Sequence, residues 1–129
     1  MDTLEQLRSK AAWAAATKRA SEFGDDFDAY KNNTKSAPMM IMNSGLMATL
    51  AFYQSRGKAP TAALVTDLMQ WIATRKLLDN VTAPAGANRE PFQQILARLL
   101  HAPSEVYQQA TSESLAYLRW LRQFADAVK

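Results

Sequence analysis

Apolar residues recur along this chain at intervals of three and four, the spacing that places side chains on one face of an α-helix. No segment alternates apolar and polar residues with a period of two over a useful length, so no strand is predicted. Four glycines and five prolines divide the pattern, which leaves little room for long loops. We therefore predict an all-α protein in which residues 1–129 form a single compact bundle of five to seven helices.

The first helix is predicted over residues 3–23. Thr3 and Gln6 can form a capping box, in which each side chain satisfies a backbone N–H of the first turn. Gly24 follows the last helical residue and can end the helix. A short second helix is predicted over residues 25–30, because its early acidic residues suit the positive end of a helix dipole.

The middle of the chain is predicted to hold a turn over residues 32–37 and then an almost wholly apolar helix over residues 39–53. Pro38 suits the first position of that helix, where its missing N–H costs nothing. Gly45 in the interior should cost about 1 kcal/mol in helix propensity, so we interpret it as a place where another helix approaches closely. The predicted core includes most of the methionines and large aromatics, namely Met39, Met40, Met42, Met47, Met69, Phe52, Trp71 and Trp120. Trp13 lies on the flank of the apolar stripe of the first helix.

Three further helices are predicted after Gly57. Pro60 with Thr61 begins one of them, and a loop follows over residues 80–87. The inward stripes of the later helices are Leu64, Leu68, Trp71, Ile72 and Leu78, then Phe92, Ile95, Leu96, Leu99 and Leu100, then Leu115, Leu118, Leu121 and Ala125.

Polar residues set the expected starts of the last two of these helices. Asn88 can cap the first of the two, with Pro91 tolerated in its first turn. A short turn at residues 103–104 comes next, and Thr111 or Ser112 is the expected cap of the final helix.

The amino-acid composition excludes several kinds of functional site. The chain has no cysteine, which excludes disulfides, thiolate zinc sites and thiol nucleophiles, and its single histidine excludes multi-histidine sites. The acidic, polar N-terminus is unlike a secretory signal, and the longest apolar stretch falls short of the ~20 residues that span a bilayer. We therefore expect a cytoplasmic protein with no membrane partner, no cofactor and no small-molecule substrate.

Two features could carry catalysis or bind a metal. Asp25, Asp26 and Asp28 form the only acidic cluster and offer oxygen ligands, but no glycine-turned ligand loop follows, so surface first-turn acids are the preferred interpretation. His101 is the lone general-base candidate, but a histidine at a helix C-terminus commonly serves only to interact favourably with the negative end of the helix dipole. We predict neither a catalytic nor a metal site.

The basic residues are the most informative polar set. The net charge is +3 and the sequence pI is near 9.3, which permits a nucleic-acid partner without requiring one. Arg119 and Arg122, three residues apart on the final helix, share a face beside its core stripe. The alternative is a solvated face, or cations near helix C-termini. The candidate contacts to phosphate are Arg119, Arg122, Lys10, Lys18, Arg19, Arg75 and Lys76.

Two segments carry a family likeness. Residues 38–52 read PMMIMNSGLMATLAF, which resembles the pattern P-x-M-I-x-x-x-G-L-x-x-T-L-A-F of the small helical subunit of the Cmr complex, the type III-B CRISPR RNA-silencing effector. Residues 110–125 read ATSESLAYLRWLRQFA and resemble the family's ending, A-T-x-E-A-L-x-x-L-x-W-L-K-R-F-A. Ser44, Ser114 and Gln123 depart from the usual residues, and Gln123 removes a cation that is common there.

The resemblance implies a subunit without catalysis, because the nuclease centres of such complexes lie on other subunits. It implies stacking as a minor filament of its own copies alongside backbone subunits that hold the guide RNA, and a place lining the groove for target RNA. Few phosphate contacts per copy would then combine through several copies on one strand. The alternative is an unrelated small helical DNA-associated regulator or protein-interaction adaptor. No helix-turn-helix with a short glycine turn before a basic helix supports that alternative.

Overall fold

The computed structural model describes residues 1–82 and 90–129, and within these ranges it contains helices and turns and no strand. The predicted all-α bundle is confirmed. A 3₁₀ turn at Gly24–Asp26 separates the first two helices, and no helix in the described ranges is long and apolar enough to cross a membrane. Across the described residues the α-helices number six: α1 (Leu4–Phe23), α2 (Phe27–Ser44), α3 (Leu46–Ser55), α4 (Ala59–Thr74), α5 (Pro91–His101) and α6 (Ser104–Val128).

Helix α1 begins and ends as its sequence predicts. The Thr3 N–H donates to Gln6 Oε1 at 2.8 Å, and the Gln6 N–H donates to Thr3 Oγ1 at 3.1 Å. Together these two bonds satisfy backbone groups that have no partner inside the helix. Gly24 ends α1 with φ at +53°, in a region that side chains disfavour.

The long helix α6 packs against α1, α2 and α4. Its buried face includes small residues, and so does the buried face of α1, which allows the two helices to pack closely. The Trp71 ring of α4 stacks on the Tyr117 ring of α6 with centroids 5.4 Å apart. The small buried residues are Ala12 and Ala16 on α1 and Ala110, Ser114 and Ala125 on α6.

The predicted inward stripe of α4 is confirmed for Leu64, Leu68, Trp71 and Ile72, which are all buried. Leu78 is also buried, but it lies in the turns that follow α4 and not on the helix itself. In the final helix Leu118, Leu121 and Ala125 are also buried, while Leu115 is half-buried.

The predicted turn at residues 32–37 is wrong, because α2 continues as one helix through Pro38. A proline in a helix interior removes a hydrogen bond and costs about 3 kcal/mol. Burial of one face of α2 outweighs this cost: Tyr30, Thr34, Ala37 and Ile41 are all within 3% of complete burial. Tertiary packing therefore overrides the local signal.

The predicted continuous helix over residues 39–53 is also wrong, because it breaks at Gly45. Gly45 has φ +94° and ψ 163°, a conformation that is essentially restricted to glycine. The predicted close approach of another helix is confirmed, since a β-carbon at Gly45 would lie 3.4 Å from Tyr107 Oη of α6. The same hydroxyl accepts a hydrogen bond from the Met47 N–H at 3.1 Å and so caps the start of α3.

Helix α6 begins at Ser104, which corrects the expected cap at Thr111 or Ser112. The Thr111 hydroxyl instead donates to the Tyr107 carbonyl at 3.0 Å, one turn back along the same helix. Hydroxyl residues can bond the preceding turn in this way, so their presence alone does not mark a helix start. The loop predicted over residues 80–87 falls largely outside the described residues, as does the predicted cap Asn88, whereas Pro91 lies in the first turn of α5 as expected.

The apolar segment of residues 39–53 was predicted to be enclosed by other helices, but three of its side chains on α2 and α3 are exposed. Met39 is 62% exposed, Met42 is 70% exposed and Phe52 is 42% exposed. Trp13 and Leu100 are exposed as well, whereas Met69 and Trp71 are buried as predicted. The apolar run therefore serves two environments, the core and an open surface, which periodicity alone did not separate.

Asp67 of α4 forms a buried ionic cluster that joins three helices. Its carboxylate accepts two hydrogen bonds from Arg19 of α1, at 3.1 and 2.8 Å, and one from the Tyr30 hydroxyl of α2 at 2.6 Å. Hydrogen bonding to Asp67 raises the pKa of Arg19, and burial, followed by the charge of Asp67, raises the pKa of Tyr30. Glu22 adds a second, exposed carboxylate beside Arg19.

Glu113 of α6 forms a second cluster. It accepts two hydrogen bonds from Arg8 of α1, at 2.7 and 2.9 Å, and one from Trp71 Nε1 of α4 at 3.2 Å. Arg75 Nε lies 3.8 Å from the same carboxylate. Hydrogen bonding from Arg8 holds the pKa of Glu113 below its ordinary value, because this bond favours the charged form.

The break between α2 and α3 can be tested with Gly45→Leu. We expect the variant to lose about 1–3 kcal/mol through backbone strain, with a further loss from crowding at Tyr107. The measurement is the urea midpoint. Gly57→Leu is the control, since Gly57 also has positive φ, +71°, but has open space where its β-carbon would lie. Equal losses at the two positions would exclude a packing role for Tyr107.

The Asp67 cluster can be tested with Asp67→Ala. This variant leaves the guanidinium of Arg19 buried without its main partner, and we expect it to lose about 3–5 kcal/mol in the free energy of unfolding. Glu22→Ala is the matched control, because it removes the exposed partner of the same arginine and should cost less than about 1 kcal/mol. Similar losses in the two variants would contradict the central role of Asp67.

The Glu113 cluster predicts a pH dependence. Because the folded pKa of Glu113 lies below its ordinary 4.5, the stabilisation is fully present above about pH 4.5 and is lost as pH falls through the folded pKa. The stability difference between the natural protein and Glu113→Gln should therefore shrink on acidification in denaturant titrations. Glu105→Gln, at an exposed site on the same helix, should change stability by less than about 1 kcal/mol at neutral pH. A Glu113→Gln difference that stays constant down to acid pH would refute this assignment.

Candidate nucleic-acid interface

Arg119 and Arg122 lie where the sequence places them, exposed on the same side of α6. Both line a shallow surface depression between α6 and α2, and neither pairs with a carboxylate of the described residues. Their guanidinium groups are therefore open to an external anion. The depression is lined by Pro38, Met42, Leu115, Leu118, Arg119, Arg122 and Gln123.

The two α1 lysines are exposed, but their surroundings differ. Lys10 pairs with Asp2, with Nζ 2.6 Å from Oδ2. Lys18 borders a cavity of about 280 Å³ between α1 and α4 that several alanines line. An exposed pair such as Lys10 with Asp2 is worth little, so it leaves Lys10 able to exchange partners.

Arg19 is removed from the candidate set, because the structure uses it inside the protein. It is 6% exposed, and its guanidinium donates to both oxygens of Asp67 as well as to Glu22. A phosphate would have to displace a buried carboxylate in order to reach it, which costs more than an exposed contact returns.

Arg75 and Lys76 follow the end of α4 and are not equivalent. Arg75 is half-buried beside Glu113, which already accepts two hydrogen bonds from Arg8. Lys76 is exposed and has φ at +58°. The structure therefore brings Arg119 and Arg122 together on the α2–α6 side, while Lys18 lies on the α1–α4 side of the molecule.

The structure also places the residues that were considered for catalysis and metal binding. Asp25, Asp26 and Asp28 are exposed around the 3₁₀ turn and the first turn of α2. His101 is exposed at the end of α5, with Nδ1 2.9 Å from the Ala97 carbonyl. In the described part of the chain, no three acidic or histidine side chains come close enough to hold a metal ion.

From the sequence we did not single out the exposed cations Arg56 and Lys58, or the two buried carboxylates of Asp67 and Glu113. The signal for the acids was present: Asp67 lies on the apolar stripe of α4 between Leu64 and Leu68, and charged residues are rarely buried unless they are paired. Glu113 lies on the buried face of α6 in the same way. Their partners were out of reach, since Arg19 and Asp67 are 48 residues apart in sequence.

Comparisons with known proteins all indicate the same family. The family model described as CRISPR-associated protein (Cas_Cmr5) matches residues 4–128. A curated relative, the CRISPR system Cmr subunit Cmr5 of Thermus thermophilus, is 31% identical over 128 residues, which cover 99% of this chain and 97% of that protein.

The fold agrees with a solved structure as well. An X-ray crystal structure of a CRISPR-associated Cmr5 family protein from Thermus thermophilus is similar, with a TM-score of 0.76 and 26% identity. The match covers 99% of this chain and 98% of that one. The family model and the curated relative both span nearly the whole chain, as does this structure, and they confirm the resemblance indicated by residues 38–52 and 110–125. The chain therefore belongs to the Cmr5 family of CRISPR-associated proteins, the small subunits of the type III-B Cmr system.

Proposed function

We propose that this protein is a non-catalytic subunit that lines the target-RNA groove of a cytoplasmic Cmr ribonucleoprotein in antiviral defence. In this proposal its copies stack as a minor filament beside the backbone subunits, close to the guide RNA. The observation that carries the proposal is the pair Arg119 and Arg122, which is exposed on α6 and has no carboxylate partner among the described residues. Family membership favours this function over that of a DNA-associated regulator.

The arginine pair suits a phosphate backbone. Each guanidinium presents several N–H donors in a planar fork that matches phosphate oxygens. The two side chains project from a helix that is fixed against α1, α2 and α4, so their spacing is set before RNA arrives. Phosphate contacts carry no base information, and the proposed binding is therefore independent of target sequence.

The surface around the arginines also suits a protein neighbour. Met39 and Met42 are exposed on α2, and Met42 lines the same depression as Arg119 and Arg122. Methionine adapts its shape to different partners, and exposed apolar patches commonly mark interfaces. An RNA groove formed at the junction of stacked subunits would need both kinds of contact side by side.

The non-catalytic part of the proposal rests on the residue inventory. The sequence has no cysteine, and its one histidine bonds a backbone carbonyl at a helix end. The two most buried carboxylates, Asp67 and Glu113, are engaged by arginines inside the bundle. These groups are occupied in holding helices together.

The test of the proposed function is Arg119→Ala/Arg122→Ala in the assembled complex, titrated with target RNA at two salt concentrations. We expect weaker binding, by a similar factor for every target sequence, and a salt dependence that is flatter by at most about one unit of slope per lost contact. Folding should barely change, because exposed charges contribute little to stability.

The control is Arg119→Lys/Arg122→Lys, which keeps both charges and removes only the planar forks. It should retain the salt slope of the natural protein and lose less affinity. If the alanine variant assembles normally and binds RNA with unchanged affinity and slope, these arginines do not contact RNA.

A further inference from the structure

A groove of about 370 Å³ lies among α2, α3 and the start of α4. This groove is separate from the depression lined by Arg119 and Arg122, because the two lie on different faces of α2. Ser36 and Met40 line the groove, whereas Pro38 and Met42 line the depression. No carboxylate lines it. Its lining is Ala29, Asn32, Asn33, Ser36, Met40, Phe52, Tyr53, Arg56, Lys58, Pro60 and Thr61.

The groove carries two positive charges, Arg56 and Lys58. Both residues are exposed, and neither forms an ion pair within the described part of the chain. This sets them apart from Arg8, Arg19 and Lys10, each of which has a carboxylate within 3.1 Å. A groove with two unpaired cations and no lining acid favours an anionic ligand.

The groove also has a planar apolar surface. The Arg56 guanidinium lies over the Phe52 ring, with its carbon 5.6 Å from the ring centroid, and the ring is 42% exposed. Tyr53 packs against Phe52 with centroids 5.4 Å apart, and its hydroxyl bonds Ser36 Oγ at 2.7 Å. Phe52 therefore rests on a tyrosine that is fixed to α2, so the stacking surface is held in place.

Two amide side chains complete the lining. Asn32 and Asn33 make no side-chain hydrogen bond within the described residues. Each amide offers both donors and an acceptor, the combination that reads the edge of an unpaired nucleobase. Charge, a stacking surface and free amides thus lie in one groove.

We propose that this groove binds one phosphate-and-base unit of single-stranded RNA. Lys58 and Arg56 contact the phosphate, an unpaired base stacks on the Phe52–Arg56 pair, and Asn32 or Asn33 bonds the base edge. Aromatic rings and guanidinium planes are the usual stacking partners of unpaired bases, and an acidic peptide would use the charges but leave the planar surface unmatched. This inference rests on the proposed function, since it names a second RNA contact of the same subunit.

The experiment uses the assembled complex and target RNA at two salt concentrations. Arg56→Ala/Lys58→Ala should weaken binding and flatten the salt dependence, because two charges are lost. Phe52→Leu should weaken binding by about tenfold with an unchanged salt slope, because only stacking is lost. Target RNA that carries 4-thiouridine should crosslink on irradiation to the segment of residues 52–58.

Two controls and three outcomes separate the possibilities. Arg56→Lys/Lys58→Arg, which keeps both charges, and Lys129→Ala, which removes a charge outside the groove, should leave the salt slope nearly unchanged. If Arg56→Ala/Lys58→Ala and Phe52→Leu bind RNA normally while Arg119→Ala/Arg122→Ala does not, the groove inference fails and the proposed function stands. If none of these variants affects binding, both fail. A folded Arg56→Ala/Lys58→Ala variant that no longer enters the complex would make the groove a protein interface and overturn the RNA assignment.

Discussion

One carboxylate, that of Asp67, decides how α1, α2 and α4 meet. It accepts three hydrogen bonds from Arg19 and Tyr30 in a region where all three residues are buried. A buried charge is costly unless its partners are well placed, so only a narrow range of helix positions is compatible with this cluster. Glu113 imposes a similar condition on α1, α4 and α6 through Arg8 and Trp71.

These two clusters also change how the surface charge is understood. Among the basic residues counted in the sequence, Arg8 and Arg19 are committed to buried carboxylates and do not contribute to a phosphate-binding face. The small net charge of +3 is therefore compatible with local surface regions whose charged side chains are all basic. The α2–α6 depression and the groove beside Phe52 are two such regions.

The helical periodicity was enough to predict the fold class and the core stripe of α4, because one face of each helix must be buried whatever its partners. It was not enough at Pro38 and Thr111, where helices continue without interruption, or at Gly45, where the backbone breaks the helix. In the candidate site, Arg119 and Arg122 could be found from their spacing on one helix face. The burial of Arg19 against Asp67 could not be predicted, because the two residues are 48 positions apart in sequence.

The hydroxyl of Tyr107 has a consequence for the order in which parts of the protein open. Helix α3 has no capping side chain of its own, and the Met47 N–H finds its partner only on α6, 60 residues further along. The first turn of α3 therefore depends on the docking of α6 rather than on its local sequence. Undocking of α6 would remove this partner from the first turn of α3, and amide exchange at Met47 therefore reports on the seating of α6.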